Sequence, residues 1–185
     1  MRDLIFSMGI SLDGFIAAPG DNIDWGAPDP ELHAFHNERI RGVGLELYGR
    51  KLYEVMRFWL TAEEDPELDE VQLEFARIWK ATPKLVFSTT LESVEGNATL
   101  ATGDPVEVVT RLKEEPGDPL AVGGAGLAST LIEHGLVDDY RLFVYPVILG
   151  AGTPFFPALK DRIGLELVET RTFGSKVVYL RYRAA

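Results

Sequence analysis

Val122-Gly123-Gly124-Ala125-Gly126 joins an apolar strand, Leu120-Ala121-Val122, to a helix expected to end near His134-Gly135. Glycine permits φ > 0 and lets a ligand come close to the backbone. The start of the helix offers free N–H groups and the positive end of its dipole. That chemistry suits a pyrophosphate. It also suits a tight strand–helix turn that needs glycine for packing alone. The stretch is not the full dinucleotide fingerprint, which continues to an acidic residue.

The same strand–turn–helix pattern recurs towards the N-terminus. Leu4–Ile10 reads as a buried strand running into Ser11-Leu12-Asp13-Gly14, and Pro19-Gly20-Asp21-Asn22 as a turn. Asp29 is the candidate N-cap of a helix that begins at Pro30 and carries Leu32, Phe35 and Ile40 at helical spacing. Leu45–Tyr48 and Lys84–Ser88 are strands; Gly49–Met56, Val71–Lys80 and Pro105–Glu114 are helices. Leu91–Thr102 holds a weaker extended segment. The last third is β-rich, with Asp139–Val147, Glu166–Phe173 and Lys176–Arg183 extended and a hairpin turn at Gly174-Ser175. Strands alternating with helices, then an antiparallel tail, predict a mixed α/β sheet covered on both faces.

Two further strand ends carry anion-compatible chemistry. Tyr48-Gly49-Arg50-Lys51 places adjacent cations at a helix start, against the helix dipole unless an anion binds there. Two exposed side chains would be the plainer explanation. Phe87-Ser88-Thr89-Thr90 puts hydroxyls at a strand end, to donate to a phosphate or to cap the next turn. Ligands of open α/β sheets sit at the carboxyl ends of strands. Taken together, the junctions predict a nucleotide-type cofactor spread over those ends.

Composition excludes several alternatives. The chain has 185 residues, 18 Lys and Arg against 29 Asp and Glu, a formal net charge of −11 and no cysteine. That length predicts one domain, residues 1–185, since a domain averages about 150 residues. Without cysteine there is no disulfide, thiolate nucleophile or zinc ribbon. The acidic balance argues against a nucleic-acid partner and against an anionic membrane surface. No apolar stretch is long enough to span a bilayer, and Asp3, Ser7 and Asp13 interrupt any signal-peptide core. The expectation is a soluble cytoplasmic protein. His33 and His36 lie three apart on one helix and are expected on its solvated face; no metal is expected.

Several blocks in order resemble the dihydrofolate reductase superfamily. They are Ser11-Leu12-Asp13-Gly14-Phe15-Ile16-Ala17, Gly49-Arg50-Lys51-Leu52-Tyr53-Glu54, Val86-Phe87-Ser88-Thr89, Gly123-Gly124, Leu136-Val137-Asp138-Asp139 and Pro146-Val147-Ile148-Leu149-Gly150-Ala151-Gly152. The similarity is greatest to the branch containing the C-terminal reductase domain of the bifunctional riboflavin biosynthesis deaminase/reductase. It implies a three-layer α/β/α fold on a mixed, mainly parallel sheet with antiparallel C-terminal strands. It implies NADPH as hydride donor, a small heterocyclic substrate and a homodimer. By motif, Gly123, Gly124, Ala125, Gly126 and Leu127 would hold the pyrophosphate. Gly49, Arg50 and Lys51, with Ser88 and Thr89, would meet the adenosine 2′-phosphate and nearby phosphates. Gly14, Ile16 and Ala17 would line the nicotinamide, and Asp13 and Trp25 would face the substrate.

The chain also departs from that branch. Ser7 stands where the riboflavin reductases tend to have Lys, and Val122 where they tend to have Glu before the glycine pair. Without cysteine for its zinc signature, a deaminase half is not expected. Glu31-Leu32-His33-Ala34-Phe35 resembles the substrate-binding helix of folate reductases, but Leu52 and Ala128 replace that group's Thr and Tyr. The candidates for proton delivery are Asp13 and Glu31, or ordered water; Glu31 is equally a first-turn acid favoured by the dipole. The alternatives are a folate-type pterin reductase and a non-catalytic nucleotide-binding module of the same fold.

Overall fold

A computed structural model describes residues 1–185. The strands are β1 (Leu4–Ile10), β2 (Phe15–Ala17), β3 (Leu45–Gly49), β4 (Lys84–Phe87), β5 (Ala98–Leu100), β6 (Leu120–Gly123), β7 (Asp139–Val144), β8 (Thr153–Pro154), β9 (Leu165–Thr172) and β10 (Val178–Ala184). The α-helices are α1 (Pro30–Ile40), α2 (Arg50–Met56), α3 (Glu70–Ala81), α4 (Pro105–Glu114) and α5 (Ala125–Glu133). Eight strands form one sheet in the order β5-β4-β3-β6-β1-β7-β10-β9, and β2 pairs with β8 apart from it. All pairings from β5 to β7 are parallel; β10 runs antiparallel to both β7 and β9. The mixed, mainly parallel α/β architecture with an antiparallel C-terminal end is the one the sequence predicts.

Alternation along the parallel strands separates two faces. One is apolar: Leu4, Phe6, Leu47, Leu120 and Val122 pack under Val109 of α4 and Leu131 and Ile132 of α5. The other is mixed. Leu32 and Phe35 of α1 cover Phe143 and Tyr179, and Trp79 of α3 covers Tyr48 and Val86. The sequence predicts a sheet covered on both faces, but the helical cover stops short of its β9 end. The strand β9 is exposed along almost its whole length. The histidines also differ from expectation. His33 is buried, and His36 lies with its ring centre 4.1 Å from that of Phe143. His33 packs against Phe75 of α3, and the half-buried His36 against Phe143 of β7, so neither ring lies on a solvated face. Burial, with His33 nearby, pushes the His36 imidazole down to about 4, so it stays neutral at pH 7.

Local chemistry explains the helix starts. Asp29 accepts the Leu32 N–H at 2.8 Å, ahead of Pro30. Asp69 and Gln72 form a reciprocal capping box, with bonds of 2.8 and 2.9 Å. Asp104 caps α4 through Val106 and Glu107, ahead of Pro105. The hairpin between β9 and β10 turns at Gly174-Ser175 as expected, but the left-handed residue is Lys176, at φ 68°.

Candidate functional site

The carboxyl ends of β3, β4 and β6 open onto two clefts that meet at Arg50. The larger, of about 890 Å³, lies between β2 and the first turns of α2 and α5. Ile16 and Ala17 form one wall; Gly49, Arg50 and Lys51 form another; Gly124, Ala125, Gly126 and Leu127 form the third. The smaller, of about 450 Å³, is lined by Arg50, Ser88, Thr89 and Thr90, with Phe87 and Pro105 at its sides. Residues from the three predicted junctions thus share one continuous surface. Gly123 lies beneath it, against Leu52 and the Tyr48 ring.

The two helices that open onto the cleft are built differently from those that do not. Neither α2 nor α5 has a side-chain cap; their N-cap positions are Gly49 and Gly124. Gly124 has φ +88° and ψ 131°, a conformation that L side chains rarely adopt. The first amides of α5 are therefore without a side-chain acceptor, at the cleft wall.

The two cations are already paired. Arg50 reaches both Glu54 oxygens, at 3.0 and 3.1 Å, one helical turn away. Lys51 crosses to Asp21 at 2.9 Å. These ion pairs are exposed, with side chains 42% to 74% accessible. Such pairs are worth about 0–1 kcal/mol, so an incoming anion can exchange with the carboxylates at little cost. Glu54, Asp21, Met8 and Thr153 line the cleft without having been singled out from sequence, and so does Leu52, marked there only as a departure from the folate reductases' Thr. Glu54 was within reach of inspection, since it stands four residues after Arg50 on one helix face. Thr153 had no local signal; it arrives only because β8 pairs with β2, Thr153 opposite Ala17.

Asp13, Glu31 and Trp25 do not line the cleft. The Asp13 carboxylate accepts the Leu149 and Gly150 amides at 3.1 and 2.7 Å. The Ser11 hydroxyl, then those amides, outweigh desolvation and hold the carboxyl down to about 2. It is ionised at neutral pH and has no proton to give. Its bonds tie two loops together. With Leu12 N–H to Val147 O and Phe155 N–H to Gly14 O, it zips residues 11–14 onto 147–155. Phe155 then stacks on Phe6 in the core, ring centres 4.3 Å apart.

Glu31 is likewise engaged elsewhere. It accepts from Arg171 of β9 at 3.0 Å and from the Gly174 N–H at 3.2 Å, tying α1 to the last hairpin. Both Glu31 and Arg171 are about half exposed. Trp25 packs edge-on to Tyr145 at 5.6 Å and donates its indole N–H to the Asn22 carbonyl. No cluster of His, Cys, Asp or Glu is placed to hold a metal ion, and no helix is long and apolar enough to cross a membrane.

Residues 2–179 match the family described as the RibD C-terminal domain. The chain belongs to that family. A relative within reach of direct sequence comparison is the uncharacterized protein YyaP of Bacillus subtilis, 36% identical over 182 residues, covering 98% of this chain and 94% of YyaP. Among solved structures, a protein named for riboflavin biosynthesis from Shewanella sp. PV-4 superposes with TM-score 0.76 at 20% identity, covering 100% of this chain and 99% of that one. The dihydrofolate reductase of Enterococcus faecalis, solved with NADP(H), superposes with TM-score 0.65 at 16% identity, covering 98% and 96%. The RibD C-terminal domain thus shares its fold with dihydrofolate reductase. The zipped blocks at residues 11–14 and 147–155 lie within the matched span.

Proposed function

We propose that this RibD C-terminal domain is an NADPH-dependent reductase of a small heterocycle bearing an electrophilic C=N or C=O carbon. The substrate class is the one that 5-amino-6-(5-phosphoribosylamino)uracil represents. One observation carries the proposal. Uncapped helix starts, exchangeable cations and hydroxyls from separate strand ends converge on one continuous pair of clefts.

The residues fit a dinucleotide phosphate. The amides of Ala125, Gly126 and Leu127 suit the pyrophosphate, where the dipole of α5 favours negative charge. Arg50, Ser88 and Thr89 suit the 2′-phosphate in the smaller cleft. Ile16 and Ala17 offer an apolar wall for the nicotinamide. When bound, NADPH supplies the hydride, and the protein supplies position and electrostatics. Proton delivery falls to solvent, because Asp13 is ionised and Glu31 is paired away from the cleft.

A fluorescence titration with NADPH, followed by oxidation assays on a panel of pyrimidines and pterins, tests the proposal. Saturable binding and turnover on a pyrimidine support it. Turnover only on pterins favours a folate-type reductase, and no binding at all favours a non-catalytic module. Arg50→Ala is expected to weaken NADPH roughly tenfold more than NADH, about the value of one charge-assisted bond. Equal losses for the two would remove Arg50 from the 2′-phosphate.

We also propose that the active form is a homodimer through the β10–β9 end of the sheet. Tyr140, Tyr182 and Leu167 stand in one cross-strand row, and Leu167 is 56% exposed. An exposed edge strand with apolar side chains is a template for another chain, here a second copy. Sedimentation at micromolar concentration is expected to give two chains per particle, and Leu167→Lys one. A wild-type monomer would overturn the dimer.

A further inference from the structure

A buried polar chain lies under the cleft without lining it. Glu46 on β3 is 7% exposed and accepts the Tyr48 hydroxyl at 2.8 Å. The same phenol oxygen accepts the Trp79 indole N–H from α3 at 3.0 Å. Lys84, the register partner of Glu46 on β4, is 3% exposed. Its ammonium sits 3.9 Å from the Trp79 ring centre and donates to the carbonyls of Thr82 and Trp79. On the other side, β6 sets Ala121, a side chain with no titratable group, opposite Glu46. The groups that act on Glu46 are therefore Tyr48 and Lys84.

Burial pushes Glu46 up to about 7, against the pull of the Tyr48 hydrogen bond and Lys84. It pushes Lys84 down to about 8, against the attraction of Glu46. Buried charge of this kind is rarely a net source of stability. What it touches is more informative. A first side-chain carbon on Gly123 would meet Leu52 and would lie 3.3 Å from Tyr48 Cε1, so the Tyr48 ring and Leu52 together form the floor under Gly123. The next residue along β3 is Gly49, which opens α2 with Arg50. The phenol thus packs against Gly123 while its backbone leads directly into Gly49, and Glu46 holds its hydroxyl.

We propose that Glu46 is a positioning residue: by accepting the Tyr48 hydroxyl it fixes the ring packed against Gly123, and so tunes dinucleotide affinity from below the site. The proposal rests on the cofactor assignment above. An ionised carboxylate is the stronger acceptor, so the floor is firmest when Glu46 is charged. Affinity should therefore rise with pH across the neutral range. Stability should do the opposite. The folded state holds Glu46 above its ordinary value of 4.5, favouring the neutral form. The stability that this group contributes is present below 4.5 and lost as pH rises towards about 7.

Glu46→Gln separates the two effects. It is expected to raise Tm at about pH 8 while weakening the dinucleotide roughly 3- to 10-fold and flattening its pH dependence. A residue that only stabilised the fold would move both in the same direction. Calorimetric titrations with NADPH and NADH at about pH 6, 7 and 8 measure this; NADH is included because a phosphate monoester itself titrates near about pH 6. Tyr48→Phe, which keeps the ring and loses the hydroxyl, is expected to reproduce the weaker binding and covers a Glu46 variant that fails to fold. Wild-type affinity and pH slope in both folded variants would overturn the positioning role alone. Wild-type protein that binds neither dinucleotide would overturn the cofactor assignment first.

Discussion

Gly124→Asp is expected to lower NADPH affinity at least ~100-fold in a chain that still folds. Two effects act together. At φ +88° and ψ 131° an L residue is strained, by about 1–3 kcal/mol. The new carboxylate also stands at the N-cap of α5, where Asp is a strong cap. It would accept the amide protons that the wild-type chain leaves for a ligand. The variant therefore supplies its own anion, which offsets part of the strain but repels and replaces the pyrophosphate. Gly124→Ala keeps the strain and adds no charge, so it should lose only roughly tenfold. Calorimetric titration with NADPH, with circular dichroism as the check on folding, reads both. Unchanged affinity in folded Gly124→Asp would place the phosphates elsewhere.

Asp139→Asn carries the largest expected loss of stability. The Asp139 side chain is 1% exposed and accepts from Arg141 at 3.1 Å and from Arg181 at 2.6 Å. Arg141 and Arg181 stand directly opposite each other across β7 and β10. Like charges in that register are unfavourable, and Asp139 is the carboxylate that makes the pairing tolerable. Removing one partner from a buried ion cluster costs about 3–5 kcal/mol. Desolvation alone would raise the Asp139 carboxyl, but hydrogen bonds from Arg141 and Arg181 outweigh it and hold it below its ordinary value of 3.8. Its stabilisation is present above that value and is lost as pH falls through the lower folded one. Urea denaturation should show the full wild-type advantage at about pH 7, shrinking below about pH 4. A difference below about 1 kcal/mol at neutral pH would show that the arginines find other partners.

The cofactor-facing junctions were readable because each is a local pattern. Gly49-Arg50-Lys51, Ser88-Thr89 and Gly124-Ala125-Gly126 each follow an apolar strand, and parallel strands bring their carboxyl ends to one side. The proton-donor candidates were not readable in the same way. Asp13 and Glu31 sit in family-like blocks, but their partners lie 136 to 143 residues away. A carboxylate's proton affinity depends on what surrounds it, and the sequence near Asp13 does not name Leu149 or Gly150. Separations of the same order hid Thr153 from the cleft and Phe143 from His36.

The sequence by itself determined where elements begin and which strand ends can meet an anion, because caps, prolines and glycines act within about one turn of chain. Only the tertiary structure decided how the charges are employed. It set Asp13 to zipping two loops and Glu31 to tying down a hairpin. It placed Glu46 beneath the glycine turn, paired across strands with Lys84. Charge and hydrogen bonding depend on distances that folding alone creates, while the propensity to start a helix is already present in three or four neighbouring residues.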